Sequence, residues 1–384
     1  MHIRMAGIYI HIPFCRKRCI YCAFYSTLKA DAMQRYTGCV CRELELRGHE
    51  IADGAPYTVY FGGGTPSCLS LSQLERIVEA TYIITHGNVS EMTVECNPDD
   101  LSAQYAAGLR SMGFNRISMG IQTFNDHILE FLGRRHDCAR AIEAVRNCRN
   151  AGFDNISIDL MYGLPGQTLE MQRCDLETAT RLDVQHISSY CLSFEEGSPL
   201  WKLKQQNRVV PSDDDLCRDM YLAMCDHLHA HGFEHYEISN FCRPGFHSRH
   251  NSSYWNGTPY LGIGPSAHSF NGKCRRWNVS DLEMYMSGTE KVSQSEPEPD
   301  SIAESEVLTH DDTVNENIML SLRTVNGLDL QKHAERFGPA ELTRLEKEAG
   351  PLLEAGFLKL SDGNLIIPEE QWFVSDGTIS SLFV

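Results

Sequence analysis

The chain has 384 residues, 42% of them hydrophobic and 22% charged: enough apolar material for a large core and too little charge for wholesale disorder. Its 51 acidic residues outnumber 34 basic ones, and the formal net charge of −17 excludes nucleic acid and anionic lipid surfaces as main partners while leaving room for a local basic pocket. Fifteen cysteines, odd in number and irregularly spaced, argue against a disulfide-stapled secreted scaffold; with no signal-peptide pattern at the start and no apolar run of about 18 residues, a reducing cytoplasm is the expected location.

Short β-rich runs alternate with helix-length segments. "GIYIHI" leads to a helix starting near Asp31, "YTVYFGGG" to "LSLSQLERIVEA", and "EMTVECNP" to "DLSAQYAAGLRSMG". "NRISMGIQ" precedes "DCARAIEAVRNCRNAG", "NISIDLMYGLPG" precedes "TLEMQRCDLETATRL", and "VQHISSYCLSFE" precedes "DDDLCRDMYLAMCDHLHAHG". Six strand–helix units in a row predict a parallel sheet with helices packed outside, either a barrel, complete or not, or an open doubly wound sheet. Both layouts gather chemistry at the C-terminal ends of the strands. After "YEISNF" the pattern turns irregular. Residues 286–311, with "SQSEPEPDSIAESE", read as an acidic linker or loop that divides residues 1–285 from a compact α+β tail at 312–384, where "SDGN" predicts a small hairpin.

Cys15, Cys19 and Cys22 cluster directly after the first strand. Thiolates are soft ligands that suit zinc, Cu(I) or iron–sulfur clusters. A closed structural zinc site wants four ligands, and the run supplies three. A cubane held by three thiolates keeps one iron open for a reacting ligand. Two alternatives stand beside this: three core cysteines, or a zinc site completed by His11. The glycines of "FGGGTP" let backbone approach a ligand closely, or simply make a tight strand-to-helix turn. Single polar residues stand near other strand ends, namely Glu95, Gln122, Arg134 and Asp159, each of which taken alone could be a cap or an ion pair.

The CxxxCxxC spacing, with Tyr21 before the last cysteine, resembles the radical S-adenosylmethionine (SAM) superfamily. "YIHIPFC", "FGGGTPS", "ISMGIQTFN", "LGRRH" and "DLMYGLPGQT" resemble more closely its oxygen-independent coproporphyrinogen III oxidase family, over nearly the whole chain. That resemblance implies an α/β fold, an incomplete (βα)6 barrel with a small C-terminal helical, winged-helix-like domain. It implies a [4Fe-4S] cluster on Cys15, Cys19 and Cys22. It also implies S-adenosyl-L-methionine held by Tyr9, Tyr21, Gly64, Thr65, Glu95, Gln122, Arg134 and Asp159, with Ser193 a weaker member.

The family divides. Its dehydrogenase branch carries a further cysteine two residues after the third, where this chain has Phe24. "RHNSSYW" instead matches the HNxxYW signature of the haem chaperone branch, HemW. That branch implies haem as cargo, with His250, Asn251, Tyr254 and Trp255 as candidate haem contacts and His247, His268 and Arg249 nearby. The axial ligand stays unassigned. Acceptor haem proteins of respiration, an electron donor such as flavodoxin or ferredoxin, and a transient contact with membrane proteins are the implied partners. The alternative is the dehydrogenase itself, which oxidatively decarboxylates two propionates of coproporphyrinogen III. A third is a redox-inert interaction module that keeps only the fold.

Overall fold

The computed structural model describes residues 7–51, 57–291 and 302–384. Six strands repeat in chain order: β1 (Gly7–Ile12), β2 (Tyr57–Gly63), β3 (Val89–Cys96), β4 (Arg116–Gln122), β5 (Ile156–Tyr162) and β6 (His186–Cys191). Each pairs in parallel with the next, so that Tyr9 stands opposite Tyr60 and Asp159 opposite Ser188. The connections carry α1 (Met33–Arg47), α2 (Leu71–Thr85), α3 (Ala103–Ser111), α4 (Asp126–Leu132), α5 (Cys138–Asn150) and α6 (Leu169–Arg181). Ser70, Ser102, Asn125, Asp137 and Thr168 start the last five of these helices, each side chain accepting a backbone N–H two or three residues on.

The strands alternate in a way a fully buried parallel sheet does not require. Ile8, Ile10, Val59, Phe61, Val94, Ile117, Ile158 and Ile187 are completely buried among apolar neighbours. The intervening positions are polar: Tyr60, Glu95, Ser118, Asp159 and Ser188. One face of the sheet therefore packs helices by apolar burial, and the other lines a polar interior.

Further strands widen the sheet on both sides. After α7 (Pro199–Gln205) and α8 (Asp214–Ala230) come β7 (Glu234–Glu237) and β8 (Asn240–Cys242), the latter antiparallel to β6. Then follow α9 (Arg249–Trp255), β9 (Tyr260–Ile263), β10 (His268–Phe270), β11 (Cys274–Asn278), α10 (Leu282–Lys291) and β12 (Ala303–Val307). β9 runs parallel to β1, and the order is β12-β11-β10-β9-β1-β2-β3-β4-β5-β6-β8-β7. This is the expected incomplete barrel: six parallel strands in sequence order, with no pairing between β12 and β7 among the described residues. Strands of three to five residues are too short to show a period in sequence, which is why the stretch after "YEISNF" reads as irregular.

The linker expected at 286–311 has structure at both ends. Residues 286–291 complete α10, and Ala303–Val307 pair with β11 as an edge strand bearing the exposed Glu304 and Glu306. Composition reports the charge of this edge and is silent on the backbone bonds that hold it. Residues 292–301, the middle of that segment, lie outside the described residues.

The C-terminal domain contains α11 (His310–Leu322), β13 (Leu328–Asp329), α12 (Leu330–Phe337), α13 (Pro339–Glu354), β14 (Lys359–Ser361), β15 (Asn364–Ile366) and α14 (Ser375–Ser380). The hairpin expected at "SDGN" is β14–β15, turned by Asp362 and Gly363 with φ of 50° and 82°, a pair of left-handed residues that suits a two-residue turn. Val314, Ile318, Leu345 and Trp372 join the same buried cluster as the barrel strands, so the domain is fastened by apolar packing. Among the described residues no helix is long and apolar enough to cross a membrane.

Candidate cofactor site

The cysteine loop leaves β1 through Phe14, which is fully buried. Two backbone bonds pin its ends together: Cys15 N–H to Thr27 O at 2.9 Å, and Thr27 N–H to Pro13 O at 2.7 Å. Cys15, Cys19 and Cys22 are free, partly exposed thiols, and burial raises the pKa of Cys15 and Cys22. The sulfurs also meet residues from distant strand ends. Cys15 Sγ lies 3.5 Å from Thr65 Oγ1, and Arg134 Nη1 donates to Cys19 Sγ at 3.3 Å.

The glycine turn is seated on the start of this loop. Gly64 N–H donates to Ile12 O at 2.8 Å. A Cβ on Gly64 would stand 2.8 Å from the Pro13 carbonyl carbon, closer than real Cβ atoms approach backbone, so no other residue fits without moving the loop. Asn97 Nδ2 donates to Thr65 Oγ1 at 3.4 Å, and Arg134 Nη2 donates to Asn97 Oδ1 at 2.7 Å and to Gly120 O at 2.5 Å. The third nitrogen of that guanidinium, Nε, is enclosed and has no partner.

Two half-buried carboxyls, Glu95 and Asp159, stand beneath. Glu95 accepts from Tyr60 Oη at 2.9 Å and from Gly63 N–H at 3.1 Å; burial, with Asp159 nearby, pushes its pKa up to about 7. Ser118 Oγ donates to Asp159 Oδ1 at 3.2 Å, and burial raises that carboxyl to about 6 against the bonds from Ser188 and Ser118. Gln122 closes β4 beyond a register shift, with φ of 76°, a left-handed conformation that costs a non-glycine residue on the order of 1–3 kcal/mol and holds its side chain over Gly120. Tyr21 packs against the small apolar cluster of Ile128, Leu132, Met161 and Leu164.

Tyr9 Oη lies 3.2 Å from His11 Nδ1, and His11 Nε2 lies 3.1 Å from Tyr25 O. Burial lowers the His11 pKa to about 4, so the ring is neutral. Nε2 thus ties the loop to β1 while Nδ1 meets Tyr9 within the strand, and neither nitrogen is free to complete a zinc site with the cysteines. Ser193 is exposed at the β6 end and donates to Glu195 Oε1 at 2.6 Å; it bonds to none of the residues just described.

The haem candidates lie elsewhere. α9 docks against the N-terminal ends of β2 and β3, at the opposite end of the barrel from the cysteines. Arg249 and His250 N–H donate to the two oxygens of Glu91 at 3.0 and 2.9 Å. His250 has no exposed surface; its Nδ1 lies 2.9 Å from Thr58 Oγ1 and its Nε2 2.9 Å from Tyr254 Oη, while the ring stacks on Tyr60. In this arrangement both ring nitrogens of His250 have protein partners. Asn251 lines a small polar cavity of about 50 Å³ together with Tyr60, Glu95, Arg116, Asp159 and His186. Trp255 is half-buried, and His247, Arg249 and His268 are exposed.

Asn97, Tyr60, Arg116, Ser118 and Ser188 were not singled out from sequence. Their signal was the polar alternation along strands that a parallel core would fill with apolar side chains on both faces.

The residues fit the two groups that the cysteine spacing implies. Three soft thiolates on one loop suit iron and sulfide. The glycine cradle exposes only backbone, and the enclosed carboxyls suit an ammonium or ribose hydroxyls, while the unpaired Arg134 Nε can meet a carboxylate.

Comparison with known proteins agrees. Residues 9–174 match the radical SAM superfamily and residues 308–374 the HemN C-terminal domain. The chain is 35% identical to "Heme chaperone HemW" of Bacillus subtilis (strain 168), over 87% of each chain. It is 32% identical to the protein of that name from Mycobacterium tuberculosis (strain ATCC 25618 / H37Rv), over 98% of this chain and 94% of that one. The solved structure of coproporphyrinogen III oxidase (HemN) from Escherichia coli, described as a radical SAM enzyme, shares the fold with a TM-score of 0.83 over 100% of this chain and 91% of that one, at 22% identity. The chain therefore belongs to the radical SAM superfamily, within the coproporphyrinogen III oxidase family and its haem chaperone HemW branch.

Proposed function

We propose that this protein is a haem chaperone: it binds haem as cargo and passes it to acceptor haem proteins, using a [4Fe-4S] cluster and S-adenosylmethionine. The observation that carries the reading is Phe24. It occupies the position where the dehydrogenase branch has its further cysteine, and it is 71% exposed at the cysteine loop. Relatives at 35% identity over 87% of the chain carry the chaperone name, which supports the same choice.

Cys15, Cys19 and Cys22 would hold the cluster, and Tyr9, Tyr21, Gly64, Thr65, Glu95, Gln122, Arg134 and Asp159 would hold S-adenosylmethionine. When bound, the pair supplies one-electron reductive chemistry at a sulfonium centre. The chain's part is to orient and shield. Arg134 bridges Cys19 and Asn97, fixing the loop relative to the strand ends, and Glu95 and Asp159 offer carboxylates to a cation in an enclosed site where such contacts are strong. Arg16, Lys17 and Arg18 are exposed on the same loop and would meet an electron donor such as flavodoxin or ferredoxin. For haem itself, the exposed His268 and His247, the latter 3.8 Å from Glu234 Oε2, are the candidate ligands of this segment, with Arg249 for a propionate.

The test is uptake of haem and of coproporphyrinogen III, side by side, by the full chain with its cluster rebuilt under anaerobic conditions. Haem should bind with a shift of its Soret band, and no protoporphyrinogen IX should form with a strong reductant present. Efficient conversion of coproporphyrinogen III would overturn the proposal and restore the dehydrogenase.

A further inference from the structure

Far from the cysteine loop, four metal-ligating side chains meet where the barrel touches the C-terminal domain. Cys225 and His229 stand one helical turn apart on α8, His235 is on β7, and Glu369 begins the 3₁₀ turn Glu369–Val374. The ligand atoms of Cys225, His235 and Glu369 all lie within 4.8 Å of one another. Cys225 Sγ is 3.9 Å from His235 Nδ1, His235 Nδ1 is 2.5 Å from Glu369 Oε1, and His229 Nε2 is 3.4 Å from that same oxygen. In a tetrahedral zinc site, bonds of roughly 2.3 Å to sulfur and 2.0 Å to nitrogen or oxygen put neighbouring ligand atoms about 3.3–3.6 Å apart. Cys225, His235 and Glu369 are within small side-chain rotations of that shape, and His229, beside the Glu369 oxygen, supplies the fourth ligand by swinging further in.

From this geometry we infer a zinc-class divalent cation site formed by Cys225, His229, His235 and Glu369, which staples the C-terminal domain to the barrel.

The surroundings favour it. His235 is clamped: its ring stacks on Phe241 at 3.9 Å between centroids and meets the edge of Trp372 at 4.5 Å, so Nδ1 is aimed before any ion arrives. Glu369 is held through its backbone, whose carbonyl accepts from Tyr221 Oη at 3.2 Å. Cys225 is buried, and burial pushes its thiol up to about 12, so without an ion it stays protonated. Binding replaces that proton: Zn²⁺ displaces H⁺ from Cys225 Sγ, the ring proton of His235 moves from Nδ1 to Nε2 so that Nδ1 can ligate, the thiolate and the Glu369 carboxylate cancel the charge of the ion, and two neutral imidazoles complete the shell. No electron moves. A simple His235–Glu369 ion pair would need neither the buried thiol nor the second imidazole on the same oxygen. His229, 41% exposed along its side chain, leaves the side by which an ion enters. Because the ligands come from α8, β7 and the tail, occupancy is coupled to domain packing.

The experiment uses the full chain with its iron–sulfur cluster rebuilt, so that Cys15, Cys19 and Cys22 are occupied, and freed of other metal by a chelating resin. After incubation with zinc chloride and desalting, elemental analysis should find about one zinc per chain beside unchanged iron, and zinc should raise the melting temperature by several degrees. Cys225→Ser and Glu369→Gln should each lose the zinc and the temperature shift while keeping iron and the far-ultraviolet circular dichroism. Glu369→Gln retains a hydrogen-bonding side chain beside His235 and keeps the test readable should Cys225→Ser fold poorly. His229→Ala should weaken zinc binding about tenfold. No zinc retained by the parent chain, or equal zinc in the parent and both variants, would overturn the site.

Discussion

The two ends of the barrel are built from similar residues and do opposite things. At the N-terminal ends of the strands, both oxygens of Glu91 and both nitrogens of His250 are taken, and His250 has no exposed surface. At the C-terminal ends, Arg134 keeps an enclosed Nε without a partner, three thiols are free of disulfides, and burial raises the Glu95 carboxyl to about 7 and that of Asp159 to about 6. A saturated polar cluster stabilises; an unsaturated one held rigidly by its neighbours waits for a ligand.

The largest test of this contrast is Cys19→Ala. It should abolish cluster iron in anaerobic elemental analysis while changing unfolding free energy by no more than about 1 kcal/mol, because the side chain is only partly buried. His250→Ala should do the reverse, costing on the order of 3 kcal/mol in denaturant unfolding through a cavity and two lost hydrogen bonds, with the cluster still rebuilt to full iron. If His250→Ala instead removed haem binding without loss of stability, the division between the two ends would fail.

A smaller effect is expected from Glu95. Its folded-state pKa, about 7, lies above the ordinary 4.5, so in the unliganded protein it contributes stability that is complete below about pH 4.5 and lost as the pH rises through 7. Glu95→Gln should remove that fall, worth on the order of 3 kcal/mol, from a stability–pH profile. A cationic ligand needs the ionised carboxylate, so affinity for S-adenosylmethionine should rise about tenfold from pH 6 to pH 8 in the parent chain and stay level in the variant, as read by calorimetry. Smallest is Phe24→Cys. At 71% exposure it should alter stability by less than about 0.5 kcal/mol, leave iron content unchanged, and confer no conversion of coproporphyrinogen III. Conversion would make position 24 the switch between the two branches.

Much of the top end was legible in the chain. Cys15, Cys19 and Cys22 lie close in sequence, and "FGGGTP" announces its backbone role by composition, so neither needed the fold to be noticed. Ser193 stands at the correct strand end yet bonds only to Glu195, since a strand-end position does not say which way a side chain turns. The bottom end was the harder case. "RHNSSYW" marks the branch correctly, but the buried state of His250 depends on Thr58 and Glu91, more than 150 positions away, and nothing in the heptapeptide refers to them.

By itself the sequence determined the repeating strand–helix units, the three-thiol loop, the helix starts and the β14–β15 turn, because each rests on periodicity or on contacts between near neighbours. Only the tertiary structure decided that β9 pairs with β1, that Ala303–Val307 forms an edge strand, that Arg134 reaches Cys19, and that Cys225 and His235 face Glu369. Those partners are brought together by burial of the shared apolar core, a non-directional force whose outcome depends on the whole chain rather than on any short stretch of it.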